Sequence, residues 1–405
     1  MTAASTDGLV DRYLALGLAL GRHIDGLVDA YYGPPEPARR AAAGAPVDPA
    51  RLVAEARAAL AALDAGEPLD AEGGSGEAPG RRRWLRAQVL GLLTTARRLA
   101  GESVGYVEEV ETSYGVTPRP LPEDDIAAAH RRLSEALPGS GPVAERLIAW
   151  RESHAVDPAV LPAAIAALAE ALRARTDRLF GLPDGERVDF ELVTDKPWSG
   201  FNTYLGDLTS QVAVNVDLPV LSLSLAHLVA HEAYPGHHTE HCRKEVGLVR
   251  RRRRLEETIF LVGTPQCLLA EGLADLGLEV VVGERPEGVV AELLGPLGIR
   301  YDAEVAAAVA QAGEALGGVR GNAAWRLHVE RADPAVVTDE LARWALVPRA
   351  RAAKTVEFLL HPTWRAYISC YVEGLPLCRR YVASDPTRFA RLITEQLVPS
   401  DLVAA

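Results

Sequence analysis

Residues 231–238 read His-Glu-Ala-Tyr-Pro-Gly-His-His, and the reading of that stretch decides what the rest of the chain is expected to build. It begins as a zinc-binding helix of the form His-Glu-x-x-His begins, in which two imidazoles four residues apart face one ion. The residue four beyond His231, however, is Pro235. On an unbroken helix His231 and His237 would point roughly 120° apart, at about 100° per residue. Proline lifts that constraint. Pro235 has no N–H for the carbonyl of His231, so the turn must widen or end, and Gly236 tolerates the dihedrals that result. The extra Pro-Gly then lets His237 swing toward the place of the second histidine.

Five of the ten histidines lie between residues 227 and 241: His227, His231, His237, His238 and His241. His227 and His231 are four apart in HLVAH, as are His237 and His241, so rival pairings exist. His227 also suits a buried, hydrogen-bonded role, and His238 and His241 a supporting or surface one. The pair taken for the metal is His231 with His237, because Glu232 sits beside the first of them and a carboxylate there can take a proton from metal-bound water. Whether the bend brings round His237 or His238 is left open by the sequence. A catalytic zinc needs a third protein ligand and one open position. LLAEGLAD, residues 268–275, offers Glu271, 34 residues beyond His237, with Asp275 one helical turn later on the same face. Glu271 is the expected third ligand, and Asp275 the acceptor for the free ring N–H of a ligand histidine.

Around the motif the chain of 405 residues is rich in alanine, leucine and arginine, which favours helix. Helical patterns run over 9–32, 52–63, 81–100, 124–137, 143–179, 221–234, 255–281 with a break at Gly263-Thr264-Pro265, and most of 287–397. Residues 64–80 collect glycine, proline, serine and acids into an expected mobile loop. Alternation at Val188–Val193 and Gln211–Val216 predicts two or three strands. The expected fold is mainly α: a large helical body with one small antiparallel β-sheet before the histidine helix. A helical region, 1–187, packs on a catalytic region, 188–405, in one continuous unit.

A net charge of −12 argues against a broad grip on nucleic acid or anionic lipid. Arg250 to Arg254 form a run of five, followed by Glu256 and Glu257, and a salt-bridged helix face is expected there. Cys242, Cys267, Cys370 and Cys378 show no C-x-x-C spacing and are expected as reduced thiols. The N-terminus lacks the basic residues of a signal peptide, and the longest apolar segment, Leu218 to Ala230, is too short to span a bilayer. A cytoplasmic protein with no membrane partner is expected; the sequence leaves its oligomeric state open.

With these residues in place, the chain resembles the bacterial domain-of-unknown-function family 885, marked by His-Glu-x-x-Pro-Gly-His and a following Glu-Gly-x-Ala helix, here Glu271-Gly272-Leu273-Ala274. PWSGFNTYLGDLTSQVAVNVDLP, TPQCLLAEGLA, GNAAWRLHVE and, less specifically, DAYYGPPE carry the likeness further. That family is similar to the gluzincin metallopeptidases. The resemblance implies a zincin-like body, His231, His237 and Glu271 as ligands of one Zn2+ or another divalent ion, Glu232 as general base, and Tyr367 or its rival Tyr371 as the oxyanion donor. His238 would support the ligands. It also implies that an edge strand upstream of the motif holds an extended substrate, with Asn202, Tyr204 and Asn215 as candidate contacts. Leu273 and Leu276 stand where the family commonly has aromatic residues, and Cys370 where it has glycine.

The expected activity is therefore zinc-dependent hydrolysis of a peptide or similar amide. Two alternatives share the same residues: an iron enzyme acting on a small molecule, since histidines with a carboxylate also suit iron, and a non-catalytic protein that binds metal or peptide. Retention of Glu232 weighs against the last.

Overall fold

Pro265–Val282 is apolar on nearly every face, and a helix of that kind has to be enclosed. It runs through the middle of the molecule with Leu268, Leu269, Leu273 and Leu276 buried. The computed structural model describes residues 8–70, 79–196 and 198–403; residues 71–78 of the loop expected at 64–80 lie outside them. Five helices carry the site, numbered in chain order: α1 (Ser222–Glu232), α2 (His237–Lys244), α3 (Pro265–Val282), α4 (Val319–His328) and α5 (Ile368–Val382). α3 and α5 pack backbone to backbone through Gly272 and Gly374. A Cβ on Gly272 would lie 2.5 Å from the Gly374 carbonyl, so the glycine after Glu271 is what lets the two helices touch.

The fold is mainly α, as expected, with two small sheets. β2 (Arg187–Val193), β3 (Gly200–Gly206) and β4 (Thr209–Asn215) form one sheet in the order β2-β4-β3. β3 and β4 are a hairpin joined at Asp207 and Leu208, both with positive φ, 53° and 59°, which is the twist a two-residue hairpin turn requires. The sheet is mixed rather than antiparallel. β2 adds in parallel to the other edge of β4, and that placement leaves β3 as an edge strand alongside α1.

The second sheet pairs β1 (Val28–Tyr31) antiparallel with β5 (Ile259–Leu261), where helices were expected. The first helix stops at Gly21, and Leu255–Thr258 is a short 3-10 turn that leads into β5. Valine and tyrosine pack well on a pleated surface, but their partner lies more than 200 residues away, beyond the reach of any local pattern. The pairing slips between Val28 and Ala30, so Asp29 sits in a β-bulge, a device that re-aims one side chain. The expected helix at 143–179 is two helices, Val143–Glu152 and Leu161–Phe180.

One apolar core runs from Leu9 to Leu402 and crosses the 187/188 line, with a smaller cluster around Leu133, Leu147, Trp150 and Val309. The arginine run is not the salt-bridged face expected from Glu256 and Glu257. Arg250 pairs with Glu245 and Asp207, while Glu256, fully buried, meets Arg81 at 2.6 Å. The 3-10 turn at 255–258 points the acids inward, away from the arginines. All four cysteines are buried free thiols.

Candidate metal centre

At Ala233 (φ −124°, ψ −79°) the chain leaves the helical region and α1 ends. The Tyr234–Pro235 peptide is cis, and α2 begins at His237. The turn both widens and ends: Tyr234 N–H donates to the Val229 carbonyl at 3.3 Å and Gly236 N–H to the Ala230 carbonyl at 2.9 Å, spans of five and six residues. Gly236 takes φ −73° and ψ −135°, and its close surroundings add a second requirement for glycine. A Cβ there would lie 1.9 Å from the His231 carbonyl oxygen. Only glycine lets the chain fold this closely onto the end of α1.

That fold brings His237 Nε2 to 3.1 Å from His231 Nε2. Glu271 reaches in from α3, with Oε2 3.4 Å from His231 Nε2 and Oε1 3.7 Å from His237 Nε2. In a tetrahedral site with bonds of about 2.0–2.1 Å, ligand atoms stand about 3.3–3.4 Å apart, and the three distances bracket that edge. Glu271 Oε2 is buried and has no hydrogen-bond partner, an unmet acceptor that a cation would satisfy. Asp275 Oδ1 lies 2.9 Å from His231 Nδ1, so it orients the ring and leaves Nε2 free for the centre. A second group, His227, His231 and Asp275, also meets ligand spacing. It draws on the Asp275 oxygen already bonded to His231, and its His227 side chain is 47% exposed.

The electrostatics favour positive charge at this point. Burial opposes a charged His231, but the hydrogen bond to Asp275, the nearby Glu271 carboxylate and the charge of Glu232 outweigh it and raise its pKa well above the ordinary value. Burial likewise opposes charge on Glu271 and Asp275, yet contact with His231 holds both below the usual carboxylate range. Burial and the neighbouring His231 push His237 down to about 4, leaving the neutral imidazole that a metal requires. His231, His237 and Glu271 thus fit a divalent ion in donor type, spacing and charge.

Glu232, the last residue of α1, is buried, and burial raises its pKa to about 7, with His231 opposing and Glu271 and Asp275 adding to the rise. Its Oε1 would stand 3.2 Å from a Cβ on Gly200, at the start of β3. Asn202, one of the candidate substrate contacts, instead donates Nδ2 to the Glu232 backbone carbonyl at 2.6 Å and so ties β3 to the end of α1. The other two candidates are also bonded within the protein: Tyr204 Oη to Glu245 at 2.5 Å and Asn215 Nδ2 to the Lys196 and Trp198 carbonyls, both at 2.9 Å. Asn202 and Tyr204 thus tie the edge strand β3 to the helices, and Asn215 ties β4 to the segment before β3.

Tyr367 places its hydroxyl 3.0 Å from Glu271 Oε1, and Tyr371 stands 3.5 Å from Tyr367, hydroxyl to hydroxyl. Tyr367 is therefore the nearer of the two rivals. His238 is fully buried and faces away from the centre, its Nδ1 2.8 Å from Ser210 Oγ and its Nε2 2.8 Å from Glu186 Oε2, and His241 stacks on Tyr204. Asp29 is a further carboxylate, close enough to Glu271 and Glu232 to feel their charge, that sequence reasoning did not single out. Burial raises it to about 7, with Glu271 and Glu232 adding to the rise. The signal for it was DAYYGPPE, a stretch noted for its resemblance but not for its acid.

No family model and no curated protein matches the sequence. Among solved structures the chain is similar to the crystal structure named "putative lipoprotein from Colwellia psychrerythraea", with a TM-score of 0.55 and 16% sequence identity over 87% of this chain and 65% of that one. At that identity the likeness shows a shared fold alone, and the chain spans less than two thirds of its neighbour's length. Among the described residues no helix is long and apolar enough to cross a membrane.

Proposed function

We propose that the protein is a zinc-dependent hydrolase of peptide or other amide bonds, a metallopeptidase of gluzincin type related to family 885. The observation that carries this reading is the convergence of His231 Nε2, His237 Nε2 and the Glu271 carboxylate at tetrahedral spacing next to a buried carboxylate that is not needed as a ligand. Those three residues would hold the ion; when bound, zinc supplies a water acidified to a pKa near 7 and polarises a carbonyl. Asp275 fixes the His231 ring through Nδ1. Glu232 receives the proton of the attacking water and passes it to the leaving nitrogen. Tyr367 donates its hydroxyl to the oxygen on which charge develops. The free edge of β3 pairs with the substrate backbone and aligns it beside Glu232.

Metal analysis of the purified protein, together with hydrolysis of a mixed peptide library, tests the reading. The expected result is about one equivalent of zinc per chain, with Glu232→Gln retaining it while hydrolysis falls by roughly 10²–10⁴-fold. A wild type without metal, or a Glu232→Gln variant as active as wild type, overturns it.

A further inference from the structure

Beyond the metal ligands, an arginine stands behind the tyrosine pair that leads to Glu271. Arg320 lies at the start of α4, and the next residue, Gly321, packs α4 onto α5: a Cβ there would lie 3.1 Å from Val372 Cγ1. This seats the Arg320 guanidinium over the Tyr371 ring, 5.7 Å from its centroid. From Tyr371 the contacts run to Tyr367 at 3.5 Å and on to Glu271 at 3.0 Å. Arg320 therefore stands on the wall that leads directly to the metal ligands. Arg320 is exposed and so open to a ligand, and it lies close enough to Asp275 to feel its charge.

Arg320 forms no ion pair or hydrogen bond with a carboxylate among the described residues. Asp275, the acid whose charge it feels, is engaged with His231. A guanidinium fork without a carboxylate of its own is suited to bind one, which it meets with two parallel hydrogen bonds.

We propose that Arg320 binds the free C-terminal carboxylate of the substrate, so that the enzyme removes residues from the C-terminal end of peptides. This rests on the hydrolase reading above and names its substrate class. A scissile carbonyl held between the ligands and Tyr367 places the leaving segment along the tyrosine pair, with its terminal carboxylate at Arg320. An amidated C-terminus offers that fork no charge and only one acceptor.

Matched peptides ending in a free acid or an amide test this, assayed with wild type, Arg320→Gln and Arg320→Lys. Wild type is expected to favour the free acid by at least about tenfold in kcat/KM, mostly through KM. Arg320→Gln loses that preference at unchanged metal content, and Arg320→Lys retains part of it. Equal hydrolysis of both peptides by wild type, or an undiminished preference in Arg320→Gln, overturns the assignment while leaving the hydrolase reading intact. Calorimetry with succinate and its diamide succinamide needs no turnover. If neither peptide is hydrolysed, succinate binding that weakens at least about tenfold in Arg320→Gln keeps the carboxylate site and sinks the hydrolase reading. Absence of succinate binding, or equal binding of succinate and succinamide, sinks the site.

Discussion

His237 and His238 are consecutive residues on one helix, and they belong to different worlds. His237 faces His231 across 3.1 Å in a group of three residues at metal-ligand spacing, with a buried oxygen, Glu271 Oε2, that no hydrogen bond satisfies. His238, about 100° further round α2, lies between Ser210 and Glu186. Glu186 in turn accepts from Tyr234 at 2.7 Å and from Arg173 at 2.6 Å, so both its oxygens are matched. Residue type and burial are nearly the same in the two clusters; closure is what differs. A network whose polar atoms are all paired holds the fold together, whereas one that gathers Glu232, Glu271 and Asp275 around two histidines with an acceptor to spare is built for something outside the chain.

Exchanging the effects of the two histidines is the strongest way to break this comparison. His237→Ala is expected to lose zinc and, with it, hydrolysis, by roughly 10³-fold or more, while the thermal midpoint of the metal-free protein stays close to that of metal-free wild type. His238→Ala is expected to keep its zinc and to unfold more easily by about 1–3 kcal/mol, because it leaves Ser210 Oγ without its partner and removes one of the two hydrogen bonds to Glu186 Oε2. Metal content and chemical denaturation of both variants decide it. Zinc loss in His238→Ala without loss of stability would show that the two clusters are one.

The open cluster was largely legible in the sequence and the closed one was not. His231, Glu232 and His237 lie within seven residues, and Glu271 and Asp275 share a face by helical period, so their chemistry showed in local spacing. Pro235 announced the bend, although a second reason for Gly236 lay in contact with the end of α1. His238 could not be told from His237, because its partners Ser210 and Glu186 come from other elements 28 and 52 residues away. The same limit hid Asp29 and Arg320, which are positioned by the β1–β5 pairing and the packing of α4 on α5. Asn202, Tyr204 and Asn215 looked available for substrate because polar residues on a strand do; the bonds that occupy them lie on other segments. The helical character of the body followed from composition, but the parallel arrival of β2 and the pairing of β1 with β5 depend on contacts between distant segments.

A smaller effect sharpens the boundary between the clusters. Asp275 touches His231 Nδ1 at 2.9 Å and contributes no atom to the group formed by His231, His237 and Glu271. If it orients the ring, Asp275→Asn keeps the metal but weakens its affinity by about 10–100-fold, measured by competition with a chromophoric chelator. An unchanged affinity would move Asp275 out of the centre; complete loss of zinc would instead favour the rival group of His227, His231 and Asp275.

The smallest effect belongs to the closed network and is read through pH. Burial alone would raise the pKa of Glu186, but hydrogen bonds from His238 and Tyr234, with help from Arg173, outweigh it and hold the folded value below the ordinary 4.5. Between that lowered value and 4.5 the unfolded chain binds more protons than the folded one, so stability rises with pH through this window. The contribution is therefore fully present above about pH 5 and is lost as pH falls through the folded value. Glu186→Gln removes the charge and keeps the shape. It should cost about 1–2 kcal/mol at pH 7, and the gap to wild type should narrow as pH drops below 4.5. Urea denaturation of the two metal-free proteins at pH 7 and near pH 3.5 reads it directly. A gap that stays constant with pH would mean that the carboxylate of Glu186 gains nothing from being charged, and that closure of the network rests on shape alone.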